Sequence, residues 1–365
     1  MTSVSLTGAN GFLGWHTRCA AHAQGIPVTT IAVGDGFNLA AATGAISGTD
    51  RLIHVAGVNR ASDEEVVGGN VRFAEQLASA LEQAAPAPSV VVFANSIQAD
   101  NDSAYGTAKR VAADILRSAA ERVGATFVDL RLPNLFGEHG RPFYNSVVAT
   151  FSHLLATGGR PVIDQDRELS LLHAQNAADA LLGFVEADQL SDLEERETVT
   201  GLLARLGDIA SVYSRGGEIP DIAHPFERDL FNTYRAAAFP EGTPISLQRH
   251  ADNRGSFFEI VRSQGGAGQS SFSTTVSGVT RGDHYHRRKV ERFTVLSGEA
   301  TIKLRKLFST QVHEFRVVGE SPASIDMPTM WAHNITNVGE ADLYTSFWSN
   351  ELFDPERPDT IAEPV

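Results

Sequence analysis

The chain has 365 residues, 42% of them hydrophobic and 20% charged, with a single cysteine, Cys19. That length exceeds one ordinary hydrophobic core and predicts two domains. A formal charge of −14 excludes sequence-independent nucleic-acid binding, which needs a basic face to displace counterions, and one cysteine excludes a disulfide framework and a thiolate zinc cluster.

The first residues, Met1-Thr2-Ser3-Val4, run into a strand-like segment without the basic region and apolar core of a signal peptide. No stretch reaches the roughly 20 apolar residues of a membrane span. The expectation is a soluble cytoplasmic protein with no membrane partner. Residues 4–7, 28–33, 51–55, 89–93 and 126–131 read as buried strands, and alanine-rich stretches such as 71–82 and 108–123 as helices between them. That β-α-β rhythm predicts a Rossmann-like, doubly wound parallel sheet with helices on both faces. From about Thr243 short alternating segments such as 293–296, 300–304 and 343–348 predict an antiparallel all-β domain. Residues 235–244, containing Pro240-Glu241-Gly242, read as the linker, which sets the domains at 1–242 and 243–365.

Thr7-Gly8-Ala9-Asn10-Gly11-Phe12-Leu13-Gly14 follows the first strand and opens a helix. Its glycines permit a tight turn and bring backbone N–H groups of Asn10, Gly11, Phe12 and Leu13 toward a pyrophosphate at the helix N-terminus. Farther on, Tyr105-Gly106-Thr107-Ala108-Lys109 places two functional groups four residues apart, on one helix face. An ammonium there is expected to lower the pKa of the Tyr105 phenol, and Lys109 can also hold ribose hydroxyls of a nicotinamide cofactor. Ser96, at the end of a predicted strand, can hydrogen-bond a substrate carbonyl. Taken together, the glycine turn, Ser96, Tyr105 and Lys109 resemble the extended, sugar-nucleotide branch of the short-chain dehydrogenases/reductases. That resemblance makes Tyr105 the general acid and places Ala56 beside the cofactor. Cofactor choice stays open: Asp35, near the end of the second strand, suits the ribose 2′-OH of NADH, whereas Arg18 or another basic group suits the 2′-phosphate of NADPH.

In the second half, Gly278 leads through His284-Tyr285-His286 to Glu291 and Gly298, the spacing of the first cupin motif. His284 and His286 are two apart, so on one strand they share a face. His333, in Pro328-Thr329-Met330-Trp331-Ala332-His333, follows the second motif except that Met330 stands where that motif has glycine. The four side chains make a hard-to-borderline ligand set for Zn²⁺ or another divalent ion. Sugar-epimerase cupins that use histidine as a base without metal are the alternative. His250 and His313 read as ordinary surface or core histidines.

A reductase followed by a cupin, with blocks such as 54–60, 133–137, 145–151, 252–257, 350–355 and 358–360, resembles the CapF-type family of bifunctional capsule-polysaccharide enzymes. The resemblance implies a cupin that epimerises C3 of a UDP-linked 2-acetamido-6-deoxy-4-keto sugar. It also implies a reductase that uses NADPH on the C4 ketone, toward UDP-N-acetyl-L-fucosamine, in a homodimer. Asn59, Arg60, Asn134 and Asn145 become candidate contacts to the nucleotide sugar, with loop capping or an acidic neighbour as the alternatives for the last three. Two other readings remain: a non-catalytic nucleotide sensor joined to a ligand-binding cupin, and a reductase whose cupin serves only dimerisation.

Overall fold

The computed structural model describes residues 2–365, which divide into two compact units. The first runs through Phe136 and adds Phe143–Ser146 and Glu168–Glu197. Its strands β1 (Val4–Thr7), β2 (Val28–Ile31), β3 (Arg51–His54), β4 (Val90–Ser96) and β5 (Thr126–Leu132) form a parallel sheet in the order β2-β1-β3-β4-β5. Helices α1 (Phe12–Ala23), α2 (Leu39–Ile46), α3 (Asp63–Gln83) and α4 (Ala104–Val123) lie between them. The unit is completed by β6 (Asn134–Phe136), β7 (Glu168–His173) and α6 (Ala174–Leu182), with most of β8 (Glu195–Thr198); α5 (Val147–Ala156) belongs to the second unit.

Successive strand residues point to opposite faces, so one strand feeds two cores. Ile53 and Val92 pack with Leu13 of α1 and Leu181 of α6, whereas their neighbours Leu52 and Val91 pack with Leu77 of α3 and Leu116 of α4. Helices therefore cover both faces, the doubly wound architecture expected. Predicted strand ends agree to within two residues except in β4, which runs three residues farther, to Ser96. Helix α4 begins at Ala104 because the Ser103 hydroxyl accepts the Gly106 N–H at 3.0 Å, so Tyr105 stands in its first turn.

The second unit comprises Gly137–Pro142, Val147–Arg167 and Thr198–Val365. Besides α5 it contains α7 (Val199–Tyr213) and α8 (Pro225–Ala238), then β9 (Ile245–Ser246) and a hairpin of β10 (His250–Asp252) and β11 (Gly255–Phe257). Strands β12 (Gln269–Thr275), β13 (Thr280–Tyr285), β14 (Glu291–Ser297), β15 (Glu299–Lys306) and β16 (Val312–Val318) follow. The last are β17 (Ala323–Met327), β18 (Trp331–Asn337), β19 (Leu343–Ser349) and β20 (Ile361–Ala362). Two antiparallel sheets, β12-β19-β14-β17-β9 and β16-β15-β18-β13-β20, enclose Phe293, Ile302, Leu304, Ile325 and Ile335. This is the all-β fold expected of the cupin.

The expected linker is corrected at its start: Arg235 is a buried residue of α8, 3% exposed, and only the residues after Ala238 connect. An ionic network explains the burial of charge here. Arg292 grips Asp326 through two bonds of 2.5 and 2.8 Å and donates to the Gly217 carbonyl at 2.7 Å, while the Tyr213 hydroxyl donates to Asp326 at 2.9 Å.

Candidate active site and metal centre

The strand order reverses direction at β1, with β2 on one side and β3 on the other; ligands of open α/β sheets bind in the crevice at such a switch point. The glycine turn lies there. Gly8 has φ +68, and a Cβ on it would come within 2.7 Å of the Ala56 nitrogen; a Cβ on Gly14 would sit 2.0 Å from the Gly8 carbonyl oxygen. Gly11 caps α1 without a side-chain partner, and the first turn of that helix has no acidic residue, which suits an anion. The Thr7 hydroxyl oxygen accepts N–H groups of Val55 and Ala56 at 3.1 and 3.2 Å, fixing the ends of β1 and β3 together. Its own proton goes to His54 Nδ1, 2.7 Å away; burial, and then Lys109, push this imidazole down to about 3, so it is neutral.

Ser96, Tyr105 and Lys109 are held by the loop after β4 and by α4. A Cβ on Gly106 would lie 2.3 Å from the Gln98 carbonyl oxygen, so this glycine lets the first turn of α4 pack on that loop. Arg110 ties the same loop down through the carbonyls of Ala99 and Asn101, at 2.7 and 2.6 Å. The Ser96 hydroxyl accepts the Gln98 N–H at 3.2 Å. Lys109 is buried, donates from Nζ to the Ala94 carbonyl at 2.9 Å and lies 5.8 Å from the centre of the Tyr105 ring. Burial pushes its ammonium down to about 8, against the support of Asp129. The expected lowering of Tyr105 is not what the fold produces: burial pushes the phenol up to about 12. Tyr105 therefore keeps its proton at neutral pH, the state a general acid needs.

Asp35 stands in a 3-10 turn after β2, almost fully exposed and paired with Arg72 at 2.9 Å. Arg18 instead donates to Asn10 in the glycine turn at 3.3 Å. Two residues singled out separately in the sequence meet: Arg60 Nε donates to Asn145 Oδ1 at 3.0 Å, and its guanidinium lies 5.9 Å from the centre of the Tyr144 ring. Asn59 lies beside the turn at Gly57. Asn134 is in β6, where its amide donates to the Ser170 carbonyl at 3.0 Å, a contact that joins strands.

The four expected metal ligands converge from both sheets of the second unit. His284 is the last residue but one of β13, directly opposite His333 in β18, His286 follows β13, and Glu291 opens β14 of the other sheet. One ligand atom from each lies within 4.8 Å of all the others. Glu291 Oε2 is 3.0 Å from His286 Nε2, 3.1 Å from His333 Nε2 and 3.7 Å from His284 Nε2. Carbonyl oxygens only accept, so His286 Nδ1 donates to Asp359 at 2.5 Å and His333 Nδ1 donates to Trp331 at 3.0 Å. Burial keeps His333 neutral, leaving its Nε2 lone pair facing the carboxylate. For His286 burial opposes charge, but Glu291 outweighs it and raises the imidazole; burial likewise opposes ionised Glu291, yet the charge on His286 outweighs it and holds the carboxyl well below its usual range. A set of converging acceptors that draws positive charge inward fits a divalent cation.

Met330, where the cupin motif has glycine, takes φ +60 and is fully buried, its N–H donating to the His286 carbonyl at 2.7 Å. The chain thus keeps the glycine-like backbone with a side chain added. A cavity of about 230 Å³ opens beside the ligands, lined by His284, Glu291, Lys289, Trp348 and Thr360. Sequence reasoning gave no role to Asp129, Lys289 or Asp359, because each acts through a partner distant in sequence, and none to Gly106, whose need for a small residue shows only where the first turn of α4 packs on the Gln98–Asn101 loop.

The family model described as NAD dependent epimerase/dehydratase family matches residues 4–195, and that described as Polysaccharide biosynthesis C-terminal domain matches residues 250–361. The UDP-2-acetamido-2,6-beta-L-arabino-hexul-4-ose reductase of Pseudomonas aeruginosa is 31% identical over 367 residues, 98% of each chain. The capsular polysaccharide assembling protein CapF of Staphylococcus aureus matches in structure with a TM-score of 0.62 at 30% identity, over 99% of this chain and 100% of its own. This chain belongs to the CapF-type branch of the NAD-dependent epimerase/dehydratase family. A further CapF structure, with the inhibitor 3-isopropenyl-tropolone, matches this CapF-type chain over the full length of both at 25% identity and a TM-score of 0.54. Among the described residues no helix is long and apolar enough to cross a membrane.

Proposed function

We propose that this CapF-type chain is a bifunctional, cytoplasmic enzyme of UDP-linked 2-acetamido-2,6-dideoxy-4-hexuloses. It epimerises C3 in residues 243–365 and reduces the C4 ketone in residues 1–242, toward UDP-N-acetyl-L-fucosamine. The observation that carries the reading is a buried Tyr105 that keeps its proton with the Lys109 ammonium 5.8 Å from its ring in one unit, and a four-ligand His/Glu cluster opening on a cavity in the other. The P. aeruginosa relative, named as a reductase of such a hexulose, supports the substrate class.

NADPH bound on the Gly8–Gly14 turn supplies the hydride for C4. Ser96 orients the ketone oxygen, and Tyr105 donates its Oη proton to that oxygen as negative charge develops there. Lys109, fixed by the Ala94 carbonyl, holds the cofactor ribose and keeps a positive charge near the phenol. Asn59, Arg60, Asn134 and Asn145 are the proposed nucleotide-sugar contacts, with the Arg60–Asn145 pair best placed to act together. Arg72 offsets the charge of Asp35, which favours NADPH over NADH.

In the cupin, Zn²⁺ or another divalent ion held by His284, His286, Glu291 and His333 supplies positive charge beside the cavity. A C4 carbonyl acidifies the C3 proton, so epimerisation precedes the reduction that removes the carbonyl. Exposed Phe272 on edge strand β12, paired with Tyr344, supports a homodimer. The test is incubation of the metal-loaded protein with the UDP-4-keto-6-deoxy-HexNAc and NADPH or NADH, followed by NMR. A C3-inverted, C4-reduced product formed faster with NADPH is expected. Reduction without inversion would leave the cupin a dimerisation module, and no turnover would favour the sensor.

A further inference from the structure

The C-terminal segment carries a residue tied to every part of the turn that follows the metal-ligand strand. Asp359 is nearly fully buried, its side chain 3% exposed, and sits at φ +44, a left-handed conformation that Asp, Asn and Gly tolerate best. Its Oδ1 accepts the N–H of Arg287 at 3.0 Å; its Oδ2 accepts those of Arg288 at 3.0 Å and Lys289 at 2.9 Å. Three successive N–H groups aimed at one carboxylate form an anion-binding nest, and each bond is charge-assisted. The backbone carbonyl of the same residue accepts from His286 Nδ1 at 2.5 Å. Beyond it, β20 pairs with β13, placing Ala362 opposite His284 and Ile361 opposite Tyr285, and the Glu363 N–H donates to the Asp283 carbonyl at 2.9 Å. Arg305 anchors the end by donating to Glu363 at 2.6 Å and to the Pro364 carbonyl at 2.5 Å.

We infer that Asp359 is the positioning residue of the cupin metal centre, fixing the 286–289 turn through its carboxylate and the tautomer of His286 through its carbonyl. This rests on the metal reading given above. With Nδ1–H committed to Asp359, Nε2 is the His286 nitrogen that faces Glu291 and the cluster centre and is left to bind an ion. Without the carboxylate, three N–H groups in a buried turn lose their acceptor, and the turn that carries His286 must rearrange. Partners of this kind, one bond removed from the metal, typically change affinity by about 10–100-fold when altered.

The test uses the full-length protein stripped of metal and reloaded with Zn²⁺ or Co²⁺ alone. Asp359→Asn keeps the left-handed backbone but turns an amide NH₂ toward the donor nest. Asp359→Gly keeps the backbone and the carbonyl bond to His286 and removes only the acceptor. Both are expected to weaken Zn²⁺ binding about 10–100-fold in chelator competition and to alter the visible Co²⁺ spectrum, a signature that lowered stability alone does not move. Zn²⁺ affinity within twofold of the parent together with an unchanged Co²⁺ spectrum, in whichever variant folds, overturns the inference. Failure of the parent itself to bind Zn²⁺ overturns the metal reading and this inference with it, so the two failures are seen in different proteins.

Discussion

The reductase site and the cupin site solve the problem of holding reactive groups in opposite ways. The first is made by backbone: glycines at 8, 14 and 106 permit contacts that any side chain would block, and Lys109 is held by a main-chain carbonyl. The second is made by side chains that converge from three strands in two sheets, each fixed by a bond to its far nitrogen or by its neighbours. A backbone site tolerates changes of charge around it but not of volume within it. A side-chain site is governed by charge, because removing one partner leaves the others unsatisfied.

That contrast can be broken or sharpened by substitution. Tyr105→Phe should lower NADPH oxidation by about 10²–10⁴-fold, since it removes only the transferable proton; a rate within threefold of the parent would remove Tyr105 from the chemistry. His284→Ala should weaken Zn²⁺ binding beyond the roughly 100-fold ceiling for outer partners, as elemental analysis and chelator competition would record. Asp326→Asn leaves buried Arg292 without its counter-charge and should cost about 3–5 kcal/mol in chemical denaturation. The exposed pair Arg131–Asp100 in the reductase unit should give at most about 1 kcal/mol when broken.

A smaller effect concerns pH. Lys109 is pushed down to about 8 by burial and supported by Asp129, so its charge, and with it cofactor affinity, is present below that value and lost as pH rises through it. Asp129→Asn removes the support and should move this alkaline limb of cofactor binding to lower pH; a shift the other way would contradict the assigned role of Asp129. The smallest change expected is Met330→Gly. It relieves a left-handed conformation costing about 1–3 kcal/mol but surrenders burial of about 1.5–3 kcal/mol, so the melting temperature should hardly move.

The same contrast explains what could be read in the sequence. The Gly8–Gly14 turn and the Tyr105–Lys109 pair are local patterns, and strand and helix periodicity placed them correctly. His284, His286, Glu291 and His333 were legible through their spacing although His333 lies 42 residues beyond Glu291. Asp359 and the Arg292–Asp326 pair carry no local pattern, because Asp359 meets His286 across 73 residues and Arg292 meets Asp326 across 34, and Asp129 reaches Lys109 only through the fold. The direction of the Tyr105 shift was misread for a related reason: helical spacing reports the neighbouring charge, whereas burial, which outweighs it, is a property of the packed unit.

The central claim is that one chain carries two separable reactions on one sugar. Incubating zinc-loaded Tyr105→Phe with the UDP-4-keto-6-deoxy-HexNAc and NADPH in D₂O, and following C3 by NMR, tests it most directly. The account predicts deuterium entering at C3 at the parent rate while NADPH is not consumed. No deuterium at C3 in either protein, or loss of exchange together with reduction in the variant, would contradict it.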